Sequence, residues 1–192
     1  INKLYAPAWD TPYGGVKHRL YGESLKRYQD TMKAKGVDKI FWQDYTALPT
    51  WRTPTMEQSP REYNLTLISH KKVEFKQSRS TFVPLLNELE PEQRLEINPA
   101  TARARGIGDG DVVLVESHNA VTGETRSVKV KAQYVEGVRP DTVSLSHHYG
   151  LWVHPWSRTG GPTPNTLFYS GEGYVSNTAD QSFHVKVKVQ RG

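Results

Sequence analysis

The chain contains no cysteine. That excludes disulfides, an iron–sulfur cluster and a cysteine-ligated metal within it. It leaves the redox compartment open, since a cysteine-free domain survives anywhere. No apolar run approaches the roughly 20 residues that cross a bilayer as a helix, so direct membrane insertion is not expected. No repeat period and no low-complexity tract occurs. No secretory signal is recognisable, because residues 5–18 are mixed and polar. The first residue is Ile1 rather than Met, which suggests a processed or excised piece and makes the missing signal uninformative about compartment. No Gly-x-Ser-x-Gly turn exists, and with it goes any sign of a nucleophile held against its base; no catalytic residue is assigned.

What is present is 192 residues, enough for one domain with an extension and a real core. Apolar content is only 36%, against 15 glycines and 12 prolines, which favours many turns and short strands over long helices. The formal charge of +5 suits an anionic partner such as nucleic acid, anionic lipid or a phosphate-bearing cofactor. It equally suits a solvated surface with a slight excess of lysine. Acidic residues interleave nearly everywhere and no nucleic-acid motif is present, so nucleic acid is not an expected partner.

Two regions follow from the pattern. Residues 1–60 are rich in Trp, Tyr and Pro. A helix is expected over Ser24–Lys35, capped by Ser24 and ended by Gly36. Pro49, Pro54 and Pro60 make residues 48–60 an extended connector. Trp42, Tyr45 and Trp51 are too many aromatics for a free linker and are expected to pack against something, a further domain included. Residues 61–192 read as mostly β. Strands are expected at 64–69, 95–97, 112–115, 127–131, 142–145 and from Phe183 on, where Val185, Val187 and Val189 alternate with polar residues. Between them Asn98 caps a short helix, Pro99 fits its first position and Gly106 ends it. Gly108 to Asp111 forms a tight turn, residues 118–124 a hairpin loop with Gly123, and residues 136–140 a further turn. Short strands without βα alternation point to a closed or nearly closed barrel.

The stretch Leu95-Glu96-Ile97-Asn98-Pro99-Ala100-Thr101-Ala102-Arg103-Ala104-Arg105-Gly106-Ile107-Gly108-Asp109-Gly110-Asp111-Val112-Val113-Leu114-Val115 resembles a family signature: strand, Asn-Pro, Ala-containing helix, Gly-Ile, x-Asp-Gly-Asp, strand. The family is the C-terminal domain of molybdopterin oxidoreductases of the dimethyl sulfoxide reductase superfamily. Residues 63–68, Glu136-Gly137-Val138 and the segment from Gly161 to Leu167 resemble it in the same order. The resemblance covers residues 61–192 and implies a six-stranded double-psi β-barrel of the aspartate-decarboxylase-like kind. It implies that residues 1–60 are the tail of a preceding domain and a connector. Asn98, Pro99, Gly106, Gly108 and Asp111 read as architecture.

The resemblance also implies where a cofactor would lie. Ser69, His70 and Lys71 would hold pterin and phosphate, unless they form an ordinary polar loop. Gln77, Ser78, Arg79, Ser80 and Thr81 offer three hydroxyls and a guanidinium ahead of a helix expected at Phe82. They suit a dinucleotide, or alternatively form a capping sequence with an exposed arginine. His147 and His148, with Asn165 further on, would lie near the pterins. Adjacent histidines point apart on a strand and no third ligand follows, which argues against a metal held by the chain itself. The implied cofactor is molybdopterin guanine dinucleotide with molybdenum or tungsten, bound together with other domains.

The implied function is the cofactor-binding part of an oxidoreductase acting in electron transfer or anaerobic respiration, with a weak leaning toward reductases of sulfur or arsenic oxyanions. The fragment alone is expected to be inactive. Its implied partners are the remaining domains of the same subunit and an iron–sulfur electron-transfer subunit. The host would be a prokaryote, with periplasm or cytoplasm open. The alternative is a non-catalytic double-psi barrel that binds a protein partner through exposed Trp side chains.

Overall fold

Period-two alternation builds the barrel. The computed structural model describes residues 22–43, 45–46, 51, 53–151, 161–174 and 183–192. The chain divides into two compact units, Ile1–Arg52 and Thr53–Gly192. In the second unit, six strands form a closed barrel: β1 (Leu65–His70), β2 (Arg94–Ile97), β3 (Val112–His118), β4 (Thr125–Tyr134), β5 (Thr142–Ser146) and β6 (His184–Arg191). Their order around the barrel is β1-β5-β2-β4-β3-β6, closed by antiparallel pairing of β6 with β1. The pairs β1–β5 and β2–β4 are parallel, and the other four are antiparallel.

Alternate residues of each strand face inward. Leu65 and Leu67, Leu95 and Ile97, Val113 and Val115, Val128 and Val130, Val143 and Leu145, and Val185 and Val187 form one buried cluster. Closure leaves no free sheet edge to manage. Leu167, Phe168 and Tyr169 join this cluster at no more than 1% exposure. They arrive from the connection between β5 and β6 and extend the barrel core. The Tyr169 hydroxyl donates to the Glu124 carbonyl (3.0 Å), and Arg126 lies over its ring.

Among the described residues, two short α-helices belong to this unit besides the longer helix of the first: α1 is Gly22–Ala34, α2 is Pro84–Leu89 and α3 is Pro99–Ala104. The ends of α3 are those expected. Asn98 Oδ1 accepts from the Ala100 N–H (3.0 Å), Pro99 stands at the first turn, and Gly106 takes φ +66°. Asn98 Nδ2 also donates to the Val138 carbonyl (2.9 Å), tying the helix to the turn before β5. Asn98→Ala is therefore expected to cost about 1–2 kcal/mol in urea unfolding, from a lost cap and a lost tertiary hydrogen bond.

The segment leading into β1 departs from the extended connector expected. Thr55–Gln58 is a 3-10 turn with Met56 buried, because an apolar side chain next to a barrel gains more from docking than proline spacing costs. Just beyond it, the Tyr63 hydroxyl donates to Glu116 (2.6 Å), and Glu116 pairs with Lys188 (2.9 Å). Burial, then Glu116 itself, pushes the Tyr63 phenol up to about 12. Hydrogen bonds, first from Tyr63 and then from Lys188, hold Glu116 below the usual carboxylate value.

In the first unit α1 begins no later than Gly22, so Ser24 lies inside the helix and not at its cap; Gly36 follows its end with φ +68°. Trp42 and Tyr45 find partners in their own unit. Trp42 Nε1 donates to the Val37 carbonyl (2.8 Å), Gln29 Nε2 donates to the Trp42 carbonyl (3.1 Å), and Tyr45 packs edge-on against Tyr28. Trp51 is exposed.

Candidate functional site

Strand direction decides which loops meet. Because β1 and β5 are parallel and β2 runs antiparallel to β5, the C-terminal ends of β1 and β5 lie beside the N-terminal end of β2. The long connections 71–93 and 147–183 therefore leave from one end of the barrel. The compact α3 and the 135–141 turn occupy the other.

At the loop end, His70 pairs in register with Ser146. Ser69, His70 and Lys71 leave β1 there, and His147 and His148 leave β5. The His147 N–H donates to the His70 carbonyl (3.2 Å), and His147 Nε2 lies 2.7 Å from Gln77 Oε1. The Lys72 N–H donates to His148 Nε2 (3.1 Å). Three segments singled out in the sequence are thus joined directly by hydrogen bonds. Asn165 sits on a 3-10 turn, Pro164–Thr166, capped by Thr163. Thr163 lies against Gly150, close enough that a Cβ on Gly150 would stand 2.7 Å from the Thr163 backbone nitrogen.

Strand β5 is buried on both faces. Val143 and Leu145 enter the core, while Ser144 and Ser146, on the opposite face by alternation, are 3% and 0% exposed. Small hydroxyls stand there because neighbouring side chains cover the strand. Across Ser144 lies His70, with Nδ1 2.6 Å from the hydroxyl and Nε2 3.3 Å from Glu96. Across Ser146 lies Gln93, 2% exposed. Sequence reasoning missed Glu96 and Gln93. Glu96 fell within an expected strand, and Gln93 outside every element expected.

The segment containing Gln77, Ser78, Arg79, Ser80 and Thr81 is a 3-10 turn, Gln77–Phe82; the α-helix expected at Phe82 starts instead at Pro84 and has six residues. Ser80 Oγ accepts from the Lys76 N–H (2.6 Å), and Thr81 Oγ1 donates to the Ser78 carbonyl (2.6 Å). Those two hydroxyls hold the turn together. Gln77 and Arg79 stand exposed beside the half-buried Ser78. Gln77 has φ +56°, the one positive φ outside glycine among the described residues. Such a backbone costs on the order of 1–3 kcal/mol and tends to mark functional loops.

The electrostatics are those of a partly desolvated, cation-bearing rim. Burial lowers the imidazole pKa of both His147 and His148. His148 is fully buried between the rings of Phe75 (5.1 Å) and His147 (4.4 Å). Lys72 is paired with Glu90. Lys71 and Arg79 are exposed and pair with no carboxylate among the described residues. Ser146 Oγ and His148 Nδ1 are buried and have no side-chain hydrogen-bond partner among the described residues. A buried polar atom left so costs about 1–3 kcal/mol. Hydroxyls, an imidazole N–H, an amide and two free cations are the donor set that a pyrophosphate and a heterocycle edge require, so the residues present fit a pterin dinucleotide.

Comparison with known proteins agrees with this chemistry. Residues 65–179 match the family described as the Molydopterin dinucleotide binding domain, a span that contains β1 to β5 and the loops between them. The chain belongs to that family. It is 30% identical over 144 residues to the dopamine dehydroxylase of Eggerthella lenta, which covers 70% of this chain and 13% of that protein. It is 32% identical over 152 residues to the arsenate respiratory reductase molybdopterin-containing subunit of Chrysiogenes arsenatis, covering 70% of this chain and 17% of that one. Among solved structures, acetylene hydratase from Pelobacter acetylenicus superposes with a TM-score of 0.63 at 16% identity, over 95% of this chain and 24% of that chain. That likeness speaks to the fold. The chain spans less than a fifth of the length of these curated relatives.

Proposed function

We propose that this chain holds molybdopterin guanine dinucleotide, with molybdenum or tungsten, for a larger oxidoreductase, and that residues 61–192 are its dinucleotide-binding barrel. Residues 1–60 are then the tail of a preceding domain and a connector. The observation that carries the reading is the hydrogen-bonded convergence of 69–72, Gln77 and 146–148 at one barrel end, around Ser146 Oγ and His148 Nδ1, buried and without a partner among the described residues. When bound, such a cofactor supplies redox chemistry at its metal. The chain's residues do the holding. Lys71 and Arg79 meet phosphate charge, Gln77, Ser78 and Asn165 offer hydrogen bonds to the heterocycles, and Ser69 lies at the root of the first loop. His147 and His148, kept neutral by burial, present N–H and N: without a competing charge. His70, engaged by Ser144 and Glu96, fixes the end of β1 beneath them. The remaining domains of the same subunit would close the site, and an iron–sulfur subunit would deliver electrons. The substrate, which such an enzyme reduces, is a sulfur or arsenic oxyanion on this reading, which the name of the Chrysiogenes relative supports.

Calorimetric titration of the chain with guanosine diphosphate, with adenosine diphosphate as control, tests the site. Saturable binding is expected, weakened about tenfold by Arg79→Ala and by Asn165→Ala, the effect of one charge-assisted or buried hydrogen bond. Absence of binding at millimolar nucleotide, or binding indifferent to both substitutions, would remove the site from these loops.

A further inference from the structure

Gln93 stands just before β2, outside every segment that the sequence singled out, yet it is among the most buried polar side chains in the barrel at 2% exposure. Its amide reads the backbone of Ser146 from both sides. Gln93 Oε1 accepts from the Ser146 N–H (3.2 Å), and Gln93 Nε2 donates to the Ser146 carbonyl. That is the two-bond exchange of an antiparallel strand pair, made here by a side chain where the ladder between β2 and β5 has stopped at Glu96↔Ser144. The same Nε2 reaches the Pro162 carbonyl at 3.4 Å. Gly161 has φ +103°, and a Cβ there would stand 2.9 Å from Gln93 Cβ. The 161–163 backbone therefore lies directly on Gln93.

We infer that Gln93 is a positioning residue: its amide locks the 146–148 loop to the Gly161–Pro162 backbone, and so sets the geometry in which His147, His148 and Asn165 meet the dinucleotide. This rests on the proposed cofactor site. The physical logic is preorganisation. Two loops that would otherwise be ordered only on binding are held beforehand, and the ordering cost leaves the binding equilibrium. A glutamine suits the task because donor and acceptor sit on one rigid amide plane, satisfying a buried N–H and a buried carbonyl together.

The chemistry of the amide supplies a sharp test. Gln93→Met keeps the volume and removes both hydrogen bonds. Gln93→Glu, when protonated, restores both, with its O–H donating to the Ser146 carbonyl and its C=O accepting from the Ser146 N–H. When ionised, it places a carboxylate against that carbonyl. Burial raises a carboxyl pKa, so the protonated form is reachable in mild acid. Among the described residues, the titratable and charged groups around position 93 are Glu92 with its partners Lys131 and Arg94, Lys129 on the wall of the same cavity, and His147 and His148 in the loop that Gln93 holds. All are common to the parent and both variants, so each affinity is compared with that of the parent at the same pH.

Guanosine diphosphate affinity and backbone amide exchange would be measured on the full chain at about pH 5 and about pH 8. Gln93→Met is expected to weaken binding about tenfold at both, with faster exchange of the Ser146 amide and unchanged protection in β3 and β4. Gln93→Glu is expected to match the parent within about threefold at the lower pH and to fall to the Gln93→Met level at the higher. Parental affinity in Gln93→Met with a fast Ser146 amide would make the clamp merely structural and overturn the inference. So would a Gln93→Glu variant equally weak at both pH values. A parent chain that binds no nucleotide would refute the cofactor site itself and the inference with it.

Discussion

Gly150→Ala is expected to destabilise the barrel unit by about 2–5 kcal/mol and to abolish nucleotide binding. The first part sums the cost of φ > 0 for a residue with a Cβ and the cost of overpacking. Gly150 has φ +89°, and the added methyl would stand 2.7 Å from both Cβ and N of Thr163 and 3.1 Å from its Cα. Those atoms are backbone or next to it, so no rotamer change relieves the contact. The loop after β5 or the Thr163 cap of the Asn165 turn has to move, and both carry candidate ligand groups. Gly123→Ala separates the two terms. Gly123 has φ +74° in the hairpin between β3 and β4 with nothing within 4 Å of its would-be Cβ. It should cost only about 1 kcal/mol. Urea unfolding of both variants makes the comparison, and equal losses would show that the contact with Thr163 carries no weight.

Mild acid is expected to destabilise the chain through His148. The ring is fully buried, and its Nε2 accepts the Lys72 N–H, so the neutral form carries its proton on Nδ1. A second proton would put a cation beside Phe75 and remove the acceptor from Lys72. Burial accordingly lowers the pKa from the ordinary imidazole value of 6.5, and does the same for His147. With the folded value below the unfolded one, the unfolded chain binds more protons in the interval between them. Stability is then fully present above 6.5 and is lost as the pH falls from there through the lowered folded value. One proton contributes at most about 1.4 kcal/mol per pH unit. His148→Gln retains an acceptor and cannot titrate, so thermal unfolding between about pH 7 and about pH 5 should be visibly flatter in that variant. A slope identical to the parent's would mean that His148 titrates normally. Glu92 is held below the usual carboxylate value, chiefly by its hydrogen bond to Lys131, and Glu116 chiefly by its bond from Tyr63. Their stabilisation is lost only at more acid pH, so the two windows are distinct.

Local chemistry made much of the barrel legible. Asn98, Pro99 and Gly106 specify α3 because caps and a left-handed terminus are interactions between near neighbours in sequence. Val113 and Val115, Val128 and Val130, and Val185 to Val189 announce their inward face by alternation alone. The order of these segments was sufficient to indicate the family. Near-neighbour reasoning fails where a residue's partner is remote. Ser80 and Thr81 look like ligand hydroxyls in the sequence, but the turn that they occupy uses them on Lys76 and Ser78. Leu167, Phe168 and Tyr169 lie outside every strand expected, and they are part of the core. Gln93 and Glu96 gave no signal, since their partners lie about 50 residues away, at Ser146, or in another strand, at His70.

The sequence by itself determined which residues form strands, where α3 starts and stops, and which loops carry cations and hydroxyls. These are set by side-chain periodicity, caps and the backbone freedom of glycine, all of which act within a few residues. Tertiary structure alone decided which loops meet. Parallel pairing of β1 with β5 and antiparallel pairing of β2 with β5 bring residues 70, 93 and 146 to one end of the barrel, and the packing of Thr163 on Gly150 adds the Asn165 turn. Alternation states the face of a strand and says nothing of its neighbour, so the candidate site residues come together only once the barrel has closed.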